Sequence, residues 1–133
     1  SKNVMFLGGD GFGGQKIFTR LFSDTSDLDV TYSTHWHSDI KNKTNTRFKR
    51  DYRLLFQAAD PTSGAALTFD AMNALAQSVH PNLSIAQVVK NLRDGRLEST
   101  TGILEFQKQS KGTAKKIALI RYRNKKYELV DIY

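Results

Sequence analysis

The chain has 133 residues, a length typical of one domain, and its 39% hydrophobic and 25% charged residues are ordinary for a soluble globular protein. It contains no cysteine, which excludes disulfides, thiolate catalysis and cysteine-ligated zinc. The formal net charge is +7, and no apolar run approaches the roughly 20 residues that a membrane-spanning helix needs.

The N-terminal region predicts a β-turn-α-loop-β unit. Residues 3–8 predict a short buried strand, which ends in the glycine-rich turn Gly8–Gly14. A helix is expected from about Gly14 to Phe22, because apolar residues recur there at helical spacing. Alternation over residues 28–34 predicts a second strand. A unit of this size is typical of a parallel sheet.

Three further helices are predicted in the middle of the sequence. Apolar residues at helical spacing predict helices over about 45–58 and 65–79. Ser84 and Gln87 predict a capping box for a third helix over 85–93. The helix over 65–79 is expected to bury a stripe formed by Leu67, Met72, Leu75, Ala76 and Val79.

The C-terminal tail changes from helical periodicity to alternation. Residues 102–107, 117–123 and 127–133 each alternate and are separated by turn-forming sequences, which predicts a β-meander. A single two-strand parallel unit is a poor free-standing core, since parallel sheets are normally covered on both faces. The order of elements therefore predicts a piece of a larger α/β protein, or a chain that completes itself by oligomerising.

Most of the basic residues fall into two groups. One group lies in and before the predicted helix over 45–58, and the other lies in the strand-rich tail. The first comprises Lys41, Lys43, Arg47, Lys49, Arg50 and Arg53, and the second comprises Lys108, Lys111, Lys115, Lys116, Arg121, Arg123, Lys125 and Lys126. Outward-facing cations in the tail would keep sheet edges soluble. The groups are interpreted as solvated faces or, alternatively, as attracting an anionic surface or partner.

The glycine-rich turn is the first candidate site. The series Gly9-x-Gly11-x-x-Gly14 formally matches the dinucleotide-binding fingerprint. That fingerprint requires an acidic residue at the end of the second strand. Here the strand ends in Ser33-Thr34-His35, so the match is incomplete.

Asp10 gives the same turn a second interpretation. The turn follows the C-terminal end of a strand, which is the edge where open parallel sheets bind ligands. Glycines let a ligand approach the backbone closely. The carboxylate of Asp10 could accept hydrogen bonds from a ligand ammonium or hydroxyl. Alternatively, Asp10 only shapes the turn.

His35 and His37 form the second candidate site. At positions i and i+2 of a strand they would point to one face, and with Asp39 they could hold a metal, but the third ligand is unsupported. The alternative is a polar strand end in which Trp36 packs or lines a cleft. No Ser-His-Asp arrangement or pair of carboxylates stands out, so the sequence predicts neither an enzyme nor a cofactor.

Four stretches of the sequence, in order, carry a family resemblance. They are Phe6–Phe12, a strand with its turn; Val30–Trp36 with the helix that follows; Ala65–Met72, with an aromatic-Asp-Ala helix; and Ser99–Phe106, similar to a Gly-x-Thr-Gly-x-x-x-Phe segment. Together they cover nearly the whole chain. In this order they resemble the C-terminal half of type I periplasmic binding proteins, the branched-chain amino-acid receptor family of ABC importers.

The resemblance implies a two-lobed α/β fold that closes on a ligand like a hinge, of which this chain would be a fragment. Residues 1–58 would lie mainly in the second lobe, as a β-α-β unit plus a helix. Residues 59–133 would return to the first lobe as helices and cross the hinge in C-terminal antiparallel strands. The expected fold class is therefore α/β, a partial periplasmic-binding-protein type I fold.

The resemblance also implies site residues. In amino-acid-binding members an acidic residue in the first turn holds the α-ammonium of the ligand, and Asp10 matches that position. Gly9, Gly11 and Phe12 of the turn would line the ligand cleft together with Trp36.

One departure from the family concerns the ligand. The family places a large side chain just before the helix over 65–79, whereas Thr62-Ser63-Gly64 has no aromatic, which argues against a branched aliphatic ligand.

The implied function is non-catalytic capture of an amino acid or similar small polar solute, in a periplasmic or extracellular membrane-anchored protein. The implied partners are that ligand and a membrane permease, with no nucleic acid and a possible homo-oligomer of the fragment. The alternatives are a basic module that binds a polyanion, the ligand-sensing domain of a receptor, and a small nucleotide-binding enzyme.

Overall fold

A computed structural model describes residues 5–12, 29–106, 113–124 and 126–133. The strands in these ranges are β1 (Met5–Gly8), β2 (Asp29–Thr34), β3 (Arg96–Ser99), β4 (Gly102–Phe106), β5 (Thr113–Ala114), β6 (Ala118–Arg123) and β7 (Lys126–Ile132). The helices are α1 (Lys43–Leu55), α2 (Ser63–Ser78) and α3 (Ile85–Asp94), and a 3-10 turn covers Asp10–Phe12. The helix expected between Gly14 and Phe22 lies outside the described residues.

The first and last strands of the chain form one sheet, in the order β1-β2-β6-β7. β1 runs parallel to β2, and β6 pairs antiparallel with both β2 and β7. Val30, Tyr32 and Thr34 of β2 are buried at alternate positions, as expected for a strand with one face on the core. The predicted parallel pair is thus extended by two strands from the C-terminal tail.

β3, β4 and β5 form a second, antiparallel sheet. In the β3–β4 hairpin, Ser99 pairs with Gly102 across the two-residue turn Thr100–Thr101. Gly102 has a φ of +117°, a conformation that residues with side chains rarely adopt. The prediction of one meander over the tail is wrong, because its strands divide between two sheets. The sequence does not predict β3, since Arg-Leu-Glu-Ser is too short and polar to show a period.

The three helices predicted in the middle of the sequence are confirmed, with ends that differ by a few residues. Ser84 and Gln87 form the predicted capping box: the Gln87 N–H donates to Ser84 Oγ at 3.3 Å, and the Ser84 N–H donates to Gln87 Oε1 at 2.8 Å. Asn42 caps α1 in a similar way, accepting from the Asn45 N–H at 2.7 Å. Across the described ranges, no helix combines the length and the apolar character needed to cross a bilayer.

The buried face of α2 differs from the prediction. Met72, Leu75 and Val79 are 60%, 42% and 49% exposed. The buried residues of α2 are the series Ala66, Asp70, Ala74 and Ser78. These small side chains allow close packing, as shown by the Asn91 side-chain amide of α3, which donates to the Ser78 carbonyl at 3.2 Å.

β1 forms at the predicted place, but its side chains are not buried as expected. Met5, Phe6 and Leu7 are 58%, 51% and 75% exposed. β1 lies at the edge of its sheet. Because large exposed apolar patches usually mark contact surfaces, β1 and α2 both present faces against which further protein can pack.

The core joins the four-stranded sheet to α1 and α2. Its buried members are Val30, Tyr32, Trp36, Ile40, Phe48, Ala66, Ala118, Ile120 and Tyr122. Asn45 is fully buried beside them. Its Oδ1 accepts from Trp36 Nε1 at 2.9 Å, and its Nδ2 donates to the carbonyls of Ile40 and Ser38 at 2.7 and 3.3 Å. One amide side chain therefore satisfies three groups of the loop between β2 and α1.

We expect Asn45→Ala to lower the free energy of unfolding by roughly 2–4 kcal/mol, because an indole N–H and two carbonyls lose their partner in a buried place. Urea denaturation measures the change. Asn73→Ala on α2 is the control, since the Asn73 side chain makes no hydrogen bond within the described ranges, and it should cost less than about 1 kcal/mol. Equal losses in the two variants would contradict this account of the loop.

Candidate functional site

The turn after β1 brings Asp10 to the edge of the sheet where β1 and β2 both end. Gly8 of β1 pairs with Tyr32 of β2, and the 3-10 turn Asp10–Phe12 follows directly. Because β1 and β2 are parallel, the C-terminal end of β2 lies beside this turn. His35 follows β2, and its Nε2 is 3.6 Å from Asp10 Oδ2. The Asp10 side chain is 58% exposed, so its carboxylate remains accessible to a ligand.

Lys115 lies near the same edge. β6 runs antiparallel to β2, so its first residue, Ala118, pairs with Thr34 at the end of β2. Lys115 precedes β6 by three residues and is half-buried. Burial lowers the pKa of Lys115, while the negative charges of Asp70 and Asp10 act in the opposite direction. Lys115 is therefore less exposed than the solvated face expected of the basic group in the tail.

Asp70 approaches Lys115 from helix α2. The Asp70 carboxylate is 4% exposed; its Oδ1 accepts from the Thr100 N–H and its Oδ2 accepts from Thr100 Oγ1, both at 2.8 Å. The Asn42 side-chain amide donates to the Thr100 carbonyl at 3.1 Å. Thr100 thus links α2 and the β3–β4 turn to the start of α1. Two stretches that carry the family resemblance, around Asp70 and around Thr100, are directly hydrogen-bonded to each other.

Gly9 and Gly11 leave open space beside Asp10. A Cβ atom added to either glycine would have no atom within 4 Å, and neither glycine has a positive φ. The backbone conformation at Gly9 and Gly11 therefore does not require glycine. Because these residues have no side chains, space is left open near the carboxylate of Asp10. Phe12 completes the 3-10 turn with its backbone, and its role as a cleft wall stays a prediction.

Trp36 has a packing role in the structure. It is 6% exposed, its indole N–H donates to Asn45, and its ring meets Phe48 edge-on at a centroid distance of 6.1 Å. This place in the core differs from the cleft wall expected of Trp36. The sequence around Trp36, with a histidine on each side, does not distinguish a residue that lines a cleft from one that packs in the core.

The two histidines beside Trp36 have separate surroundings. β2 ends at Thr34, so His35 and His37 do not share a strand face. His35 approaches Asp10, whereas His37 is buried and its Nδ1 accepts from the Asp39 N–H at 3.3 Å. The described part of the chain contains no group of three or more side chains that could hold a metal ion. The structure therefore does not assemble the metal site considered from the sequence.

Comparison with known proteins gives matches among solved structures. No protein-family model matches the chain, and a search of curated proteins finds no significant match. A leucine-binding protein, LivK, from Thermotoga maritima matches with a TM-score of 0.81 at 16% identity, over 98% of this chain and 37% of that one. The branched-chain amino-acid substrate-binding protein LivJ from Streptococcus pneumoniae, in complex with isoleucine, matches with a TM-score of 0.79 at 21% identity, over 96% and 36%.

The chain has part of the type I periplasmic-binding-protein fold. It spans little more than a third of the length of these two structures. This result confirms the predicted resemblance and the predicted partial fold. A third match, a solute-binding protein from R. palustris in complex with benzoate, has a TM-score of 0.73 at 17% identity, over 96% of this chain and 35% of that one. Because the matched structures hold ligands as different as isoleucine and benzoate, this fold does not by itself specify a ligand.

We expect the chain to lose stability as the pH falls, because burial in the folded state favours the neutral form of His37 by lowering its pKa. Burial lowers the pKa of His37 and the charge of Lys49 lowers it further, although Asp39 acts in the opposite direction. The contribution of neutral His37 to the free energy of unfolding is fully present above about 6.5, the pKa of His37 in the unfolded chain. This contribution is lost as the pH falls towards the lower pKa of His37 in the folded chain.

His37→Gln should therefore flatten the dependence of the unfolding free energy on pH between about pH 7 and pH 5. Urea denaturation at a series of pH values measures the slope. His80→Gln, at an exposed position, is the control and should leave the slope unchanged. An identical slope in the wild type and in both variants would show that His37 does not contribute.

Proposed function

We propose that this chain is part of an extracytoplasmic solute-binding protein that captures an amino acid or a similar small polar solute for an ABC importer. The observation that carries the proposal is the exposed carboxylate of Asp10, which lies where β1 and β2 end in a type I binding fold, close to His35 and Lys115. The matched structures support it, since they are solute-binding proteins and two of them hold small molecules.

The division of the chain between two lobes is part of this proposal. Residues 1–58 would contribute to the second lobe, and residues 59–133 would return to the first lobe and cross the hinge. The sheet topology supports a crossing, because β6 and β7 pair with the N-terminal strands whereas β3, β4 and β5 form their own sheet. Lys115 would then lie in the connection between the two sheets.

A dipolar ligand suits this edge better than a simple cation or a simple anion. Asp10 offers a carboxylate to a ligand ammonium, and Lys115 offers an ammonium to a ligand carboxylate. Burial lowers the pKa of Lys115, and the negative charge of Asp10, like that of Asp70, partly opposes this effect. An α-amino acid carries both complementary groups on one carbon atom.

The segment before α2 supports a small polar ligand over a branched aliphatic one. Thr62 acts as the N-cap of α2, and its Oγ1 accepts from the Ala65 N–H at 3.2 Å. Ser63 and Gly64 begin the helix. This segment therefore offers no large apolar side chain to pack against an aliphatic ligand.

In this proposal the protein binds without catalysis, and its further partner is a membrane permease. The protein would act in the periplasm, or outside the cell on a membrane anchor. The exposed apolar faces of α2 and β1 would pack against the remainder of the binding protein. When this chain is produced alone, the same faces would favour its self-association.

We expect Asp10→Asn in the full-length protein to weaken amino-acid binding by roughly 10- to 100-fold, because one charge-assisted hydrogen bond to the ligand ammonium becomes neutral. Titration calorimetry with a panel of amino acids measures the affinity. Glu98→Gln, which removes one exposed negative charge from β3, is the matched control and should bind as the wild type does. Unchanged binding by Asp10→Asn would remove Asp10 from the site, and a wild type that binds no amino acid would refute the ligand class.

We expect Gly11→Ala to separate binding from folding. The added methyl group meets no atom of the chain, so the free energy of unfolding should change by less than about 0.5 kcal/mol. If a ligand occupies the open space, the same methyl group should weaken binding by about tenfold or more. Ala86→Ser, which adds one atom at an exposed position of α3, is the control and should keep full affinity. Full affinity in Gly11→Ala would show that the ligand does not approach this turn.

A further inference from the structure

An open groove of about 740 Å³ lies along the start of α1 and the loop before it. We call it the basic groove. Its lining residues are Asp39, Ile40, Lys41, Asn42, Lys43, Thr46, Arg47, Lys49 and Arg50. None of these residues was placed at the sheet edge that carries Asp10. The proposed solute site therefore gives the basic groove no role.

The charge of the basic groove is strongly unbalanced. Five of its lining residues are cationic, and Asp39 is its one carboxylate. Asp51, one turn further along α1, pairs with Arg47 at 3.5 Å and with Arg50 at 2.7 Å, and these arginines lower the pKa of Asp51. Counted together with Asp51, the groove still carries an excess of three positive charges.

Lys41 and Lys43 are the uncompensated cations of the basic groove. Both are exposed, and neither has a carboxylate within 4 Å among the residues that the structure describes. Lys49 differs from them, because its ammonium donates to the Ser38 carbonyl at 2.6 Å. Like charges that share one concave surface repel each other, and a concave wall focuses their field on whatever enters.

The geometry points to a phosphate-bearing ligand: we propose that the basic groove binds a compact polyanion with two or more phosphate groups. The volume lies within the roughly 300–1,000 Å³ of small-molecule sites, which favours a small anion over a long polymer. Lys41 and Lys43 offer ammonium groups that no carboxylate of the described residues neutralises, and Arg47 and Arg50, which share Asp51, add positive charge. A ligand with several negative charges would neutralise the three positive charges that Asp39 and Asp51 do not compensate.

Tripolyphosphate is the probe, with affinity measured by titration calorimetry at a low and a high salt concentration. Wild-type protein should bind it, and more salt should weaken binding because phosphate contacts release counterions. Lys41→Gln/Lys43→Gln should bind about tenfold more weakly, since two charge-assisted contacts are lost. Lys90→Gln/Lys126→Gln removes the same charge from exposed positions outside the groove and should change affinity by less than about twofold. Melting temperatures show that both double variants are folded.

A second arm separates a free phosphate ligand from a lipid headgroup. Co-sedimentation uses vesicles of phosphatidylcholine alone and of phosphatidylcholine mixed with cardiolipin, whose headgroup carries two phosphates. Binding to the anionic vesicles that depends on Lys41 and Lys43 supports the proposal and identifies the source as lipid. The proposal would be overturned if both double variants lost the same affinity for tripolyphosphate. It would also be overturned if neither tripolyphosphate nor the anionic vesicles bound in a way that depends on Lys41 and Lys43.

Discussion

The antiparallel pairing of β2 with β6 is the contact on which the rest of this structure depends. It joins the N-terminal strands to the C-terminal tail and places Ile120 and Tyr122 in the core. An ion pair supports its register, since Arg121 Nε donates to Asp29 Oδ1 at 2.8 Å and Arg121 lowers the pKa of Asp29. Without this pairing, β2 would have β1 as its one neighbour in the sheet.

The same pairing determines the composition of the candidate site. It places the start of β6 at the end of β2, so Lys115 comes near Asp10 although the two are far apart in the sequence. Asp70, which is buried and accepts two hydrogen bonds from Thr100, also acts electrostatically on Lys115. The resulting edge carries a negative group and a positive group that affect each other electrostatically, which is the arrangement that a dipolar solute complements.

Local signals in the sequence were sufficient for most elements. Alternation predicts β2, and the Ser84–Gln87 capping box predicts the start of α3, because both depend on neighbouring residues. The exposed face of α2 could not be predicted in this way. Periodicity identifies an apolar stripe but not the surface that covers it, and here the residues packed within the chain are the small ones, such as Ala66 and Ala74.

The candidate site shows the same limit. Asp10 could be singled out, because a carboxylate in a glycine-rich turn after a strand has a local meaning. Lys115 could not, because its environment is created by the β2–β6 pairing and by Asp70, which are contacts between distant parts of the chain. The resemblance implies a cleft wall at Trp36, whereas the structure buries this residue and pairs its indole N–H with Asn45, a contact between positions that the sequence does not link.

The central claim is that Asp10 and Lys115 act together on one dipolar ligand. A double-mutant cycle on the full-length protein tests it, using Asp10→Asn, Lys115→Gln and their combination, with the affinity for the amino acid that binds most tightly. The account predicts a coupling energy of about 0.5–3 kcal/mol, as found for groups that share one interaction network. Effects that add to within about 0.3 kcal/mol would contradict it, because they would show that the two charges serve independent sites.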